Sequence, residues 1–105
     1  MTQARQWVRV QNWNDIRSHF DIPHPVSFFI SASVLKRLGT PAVRVYQDSL
    51  PSLHFDLIVE CETPGQALLC IYHGIERILY AEGQKAEALQ SISKKMNAHL
   101  IQYLH

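Results

Sequence analysis

Hydrophobic and polar positions alternate most regularly from Leu53 to Cys61. Phe55, Leu57, Val59 and Cys61 fall on one side there, and His54, Asp56, Ile58 and Glu60 on the other. A period of two places successive side chains on opposite faces and predicts a strand. Ala42 to Gln47 shows a shorter alternation, with Val43 and Val45 against Arg44 and Tyr46, and is expected to be a half-exposed strand. Asp48 to Ser52 is expected to be the loop between the two. Thr63-Pro64-Gly65 predicts the next turn, followed by apolar segments Ala67 to Tyr72 and Ile75 to Tyr80 on either side of His73-Gly74. A two-residue linker whose positions tolerate positive φ suits a hairpin. This gives a meander of about four antiparallel strands.

The flanking segments follow a helical period. Gln84 to Leu104 sets Ala88, Leu89, Ile92, Met96, Leu100, Tyr103 and Leu104 at helical spacing, predicting a long C-terminal helix across one face of the sheet. Asn12 or Asn14 can cap a short helix through Phe20, with Trp13, Ile16 and Phe20 on one side. Ser31 or Ser33 can cap another, in which Val34, Leu35 and Leu38 precede Gly39 and Pro41. Gln6 to Val10 reads as a short strand. The two prolines of Asp21 to Pro25 break any helix there. Val26 to Ile30 is uniformly apolar and reads equally as strand or helix. The expected fold is α+β: one domain over residues 1–105, an antiparallel sheet, a long C-terminal helix and short N-terminal helices.

Pairing across His73-Gly74 makes both faces of that hairpin apolar, and a single helix covers only one. Leu69, Ile71, Ile78 and Tyr80 form the second face. They are the expected contact surface of a homodimer, or of another protein partner. A chain of 105 residues with 47% hydrophobic and 18% charged positions supports this, because so small a domain often completes its burial against a partner.

The net charge of +1 is unevenly spread: +4 over residues 1–47, −5 over residues 48–82 and +2 beyond. Arg5, Trp7, Arg9 and Trp13, with Lys36 and Arg37, interleave cations and aromatics as single-strand nucleic-acid platforms do. Nucleic acid is therefore the second expected partner. Arg44, His54, Asp56 and Glu60 make a third candidate, a polar cluster on the sheet for ligand binding or acid–base work. The simpler account is a solvated strand face with an ion pair.

No nucleotide loop, zinc-ligand spacing or nucleophile motif occurs. The six histidines form no HxH or HxxxH pair, so neither catalytic residues, a metal nor a cofactor is expected. Cys61 and Cys70 lie in apolar segments expected to be strands, where they read as buried free thiols of a reducing compartment. The expected hairpin registers leave them offset or on opposite faces, so no disulfide is predicted. No apolar run approaches the roughly 20 residues needed to span a bilayer. The expectation is a non-enzymatic, cytoplasmic accessory or regulatory protein working through protein–protein contacts.

Overall fold

The computed structural model describes residues 6–23, 25–80 and 99–101. Five strands form one sheet: β1 (Gln6–Arg9), β2 (Val26–Ile30), β3 (Phe55–Cys61), β4 (Arg77–Tyr80) and β5 (His99–Ile101). Their spatial order is their order in sequence, and every neighbouring pair is parallel. Among the described residues four helices lie between them: α1 (Trp13–Arg17), α2 (Ala32–Leu38), α3 (Thr40–Asp48) and α4 (Pro64–Tyr72).

The antiparallel meander is thereby overturned, and two segments account for it. Ala42 to Gln47, expected as a strand, lies inside α3. Gly39, at φ 89°, ends α2 and opens α3, and Pro41 sits in the first turn, where its missing N–H costs nothing. Val43 is buried and Tyr46, one turn later, packs against the core, while Val45 is exposed, so the inward positions follow a helical i, i+3 spacing and not an alternation.

Ala67 to Tyr72, the other expected strand, lies in α4. The Thr63 hydroxyl accepts from the Gln66 amide at 3.1 Å and caps it, with Pro64 in the first turn. Its apolar run hides a helical period, since Ala67, Cys70 and Ile71 are buried while Leu69 and Tyr72 are exposed. His73-Gly74 is not a hairpin. The amides of Gly74 and Ile75 donate to Ile71 and Cys70 carbonyls at 3.0 and 2.9 Å, and Gly74 has φ 79°, which is a Schellman helix ending. Once these segments are helices, each path between strands returns the chain to the same end of the sheet, and the pairing becomes parallel.

A long helix over Gln84 to Leu104 is also overturned at its C-terminal part, where His99–Ile101 pairs with β4. The remainder of that expected helix lies outside the described residues.

The N-terminal elements resolve what the sequence left open. Asn12 caps α1 in a reciprocal capping box with Asp15. Ser31 caps α2, its hydroxyl accepting from the Val34 amide at 3.3 Å. Val26 to Ile30 is a strand, and it lies between β1 and β3.

Strand residues of one parity, Val26, Phe28, Ile30, Phe55, Leu57, Val59, Cys61, Ile78 and Tyr80, share a single core cluster with Ile16, Val34, Leu35, Val43, Ala67, Cys70 and Ile71 from the four helices. All four helices therefore cover the same face. A sequential parallel sheet does this when each crossover has the same hand. Phe28 stacks on Phe55 at 6.0 Å, and Phe20 extends the aromatic layer to Trp13.

Candidate functional site

The opposite parity builds the other face. Registers align Trp7 with Ser27 and Asp56, and Arg9 with Phe29 and Ile58; Glu60 stands beside Leu79, with Arg77 one step earlier on β4. No described helix packs here. Ile58 is buried yet lies outside the main core cluster, which separates the two faces.

At its β1 end the face is open. Trp7 is 49% exposed, a large value for an aromatic residue on a strand. The Arg9 guanidinium carbon lies 5.8 Å from the centre of the half-buried Phe29 ring, within cation–π range. Together with Val8 these residues line a shallow hollow of about 250 Å³. Further along, Arg77 pairs with Asp56 at 2.8 Å, reaching back diagonally across the strand pair. A second cleft, of about 370 Å³, lies at the N-terminal ends of β3 and β4, where Gln47, Leu50, Phe55, Asp56 and Arg77 meet.

The four residues expected to form a shared contact do not make one surface. Ile71, Ile78 and Tyr80 are buried core residues, and only Leu69, on the outside of α4, is exposed. The reason is the parallel sheet: the apolar hairpin face on which they were grouped does not exist.

The aromatic and basic set is split. Trp7 and Arg9 lie on the open face. Trp13 is packed on the helix side against Phe20 at 5.8 Å and Tyr46 at 5.4 Å, and Arg37 donates to the Gln11 carbonyl. Lys36 is exposed on α2, and Arg5 lies outside the described residues.

The polar cluster is dispersed as well. Arg44 sits on α3, where it pairs with Asp48 and donates to the His73 carbonyl at 2.7 Å. His54 bonds the Ile22 carbonyl at 3.2 Å, Asp56 pairs with Arg77, and Glu60 accepts from the first amide of α2, that of Ala32, at 3.0 Å. Each holds a neighbouring element in place. Among the described residues no three His, Cys, Asp or Glu side chains converge as a metal-ligand set.

Cys61 and Cys70 are both buried and free, but their sulfurs lie 3.6 Å apart. The expectation that they are offset or on opposite faces fails because Cys70 is on a helix lying over the end of β3. The contact with Cys70, followed by burial, holds the Cys61 thiol well above its ordinary range. The same contact favours ionisation of Cys70 over Cys61.

The residues that sequence reasoning missed as a group are Phe29, Ile58, Arg77 and Leu79. Their shared face follows from the register, which the sequence could not supply. The chain matches no protein-family model, no curated protein and no solved structure. Among the described residues no helix is long and apolar enough to cross a membrane.

Proposed function

We propose that this chain is a non-enzymatic accessory or regulatory protein that acts through protein–protein contacts, as a homodimer, in the cytoplasm. The observation that carries the reading is the half-exposed Trp7 beside Arg9 and Phe29 on the sheet face that no described helix covers. Tryptophan and arginine at the rim of an apolar patch are the residue types that most often dominate binding energy at protein interfaces. The polar side chains favour the same reading: Arg44, His54, Asp56 and Glu60 are engaged in holding secondary structure together and do not converge on a substrate-sized space. Two buried free thiols suit a reducing compartment.

The test is the absolute mass of the native protein by size-exclusion chromatography with light scattering, at low and at high salt. A dimer that persists at high salt is expected, because apolar and stacking contacts are little screened. A monomer at every concentration and salt overturns the homodimer. Salt-sensitive binding of a labelled single strand would instead favour nucleic acid.

A further inference from the structure

Among the described residues the outer edge of β1 carries an unpaired ladder. Among the described residues β1 pairs only with β2, and the amides that point toward β2 are those at its even positions: Gln6 donates to Pro25 and Val10 to Phe29, at 3.0 and 2.9 Å. Backbone groups alternate along a strand, so the N–H and C=O of Trp7 and Arg9 point outward. Exposed edges of this kind pair readily with another strand unless they are blocked. β1 contains no proline, and its only charged residue is Arg9.

We propose that two copies of the chain pair antiparallel through β1, about a two-fold axis at Val8, making a continuous sheet across the dimer. This rests on the homodimer reading above and names its contact. The register follows from charge and geometry. With the axis at Val8, Trp7 of each copy stands directly opposite the other copy's Arg9. Those are the residues whose outward groups are free, so each pair exchanges two hydrogen bonds. Directly opposed residues project from the same face, which brings each exposed indole against a guanidinium, twice by symmetry. An axis at Arg9 sets two arginines against each other, and like charges in contact are unfavourable. An axis at Trp7 sets indole on indole and leaves Arg9 with no indole opposite it. The axis at Val8 avoids this and is the self-complementary solution that a two-fold contact requires.

The experiment is oxidative cross-linking of Val8→Cys, Trp7→Cys and Arg9→Cys, with light scattering on the unmodified chain. Residues opposed to their own copies at a non-hydrogen-bonded position stand about 4.5 Å apart, within reach of a disulfide. Val8→Cys is expected to give a covalent dimer under mild oxidation, whereas the other two variants and the unmodified chain, whose thiols are buried, do not. Arg9→Glu, which removes the cation from both symmetric contacts, is expected to weaken the dimer about tenfold. A native dimer in which Val8→Cys does not cross-link, or Trp7→Cys does so instead, overturns this contact and leaves the homodimer reading standing. A native monomer overturns both.

Discussion

The Arg44 guanidinium fills the space beside Gly74 that any side chain at that position would need. From there it donates to the carbonyl of His73, so α3 holds the ending of α4. Gln47, one turn further along α3, grips the same stretch: its Nε2 donates to the Gly74 carbonyl at 3.0 Å and its Oε1 accepts from the Glu76 amide at 2.8 Å. This clamp fixes where the chain enters β4, and so the register of Arg77 beside Ile58.

Gly74→Ala is accordingly expected to destabilise the protein by about 2–3 kcal/mol. About 1–2 of this comes from placing an L side chain at positive φ, and the rest from displacing Arg44. The urea unfolding midpoint measures it. In an Arg44→Ala background the same substitution should cost less, because the clash is gone, while the conformational part remains.

Helix α4 turns one of two neighbouring apolar residues inward and the other outward. Ile71→Ala is expected to cost about 2–5 kcal/mol as a buried cavity, and Leu69→Ala, on the exposed side, about 0.5 kcal/mol or less. Equal losses at both positions would contradict the helix.

The two tryptophans have different jobs. Trp13 packs edge-on against Phe20, so Trp13→Ala should lower stability by about 2 kcal/mol or more, whereas Trp7→Ala should cost about 1 kcal/mol or less. If Trp7 is at the dimer contact, its substitution should change the native mass and leave the unfolding midpoint of the monomer nearly unmoved.

The buried thiol contact predicts a loss of stability at alkaline pH. The folded state holds Cys61 protonated above its ordinary value of 9.0, while the unfolded chain ionises near that value. Cys70, held below its ordinary value by the same contact, is ionised in both states above that pH, so there only Cys61 differs: the unfolded state binds one proton fewer, and stability falls as pH rises, by up to about 1.4 kcal/mol per pH unit. Cys61→Ala should flatten that slope relative to the unmodified protein in parallel urea titrations. A thiol reagent should find no reactive cysteine in the native protein and two after unfolding.

The chain by itself determined its local elements wherever one physical signal dominated. The period-two pattern ending at Cys61 is strand β3, and its two sides are the two faces of the sheet. Asn12 and Ser31 start helices because their side chains satisfy amides that have no other partner. The two cysteines are buried because their surroundings are apolar. Tertiary structure decided everything that depended on the short segments Ala42 to Gln47 and Ala67 to Tyr72. Six residues with few inward positions, or with almost no polar ones, satisfy both periods, and only packing against a common core makes them helices. That choice reversed the direction of strand pairing, moved Ile71, Ile78 and Tyr80 into the core and brought Cys70 within 3.6 Å of Cys61. It also gathered Trp7, Arg9, Phe29, Ile58 and Arg77 on one face. Residues from four strands become neighbours only through register, and register is a property of the assembled sheet, absent from any local stretch of sequence.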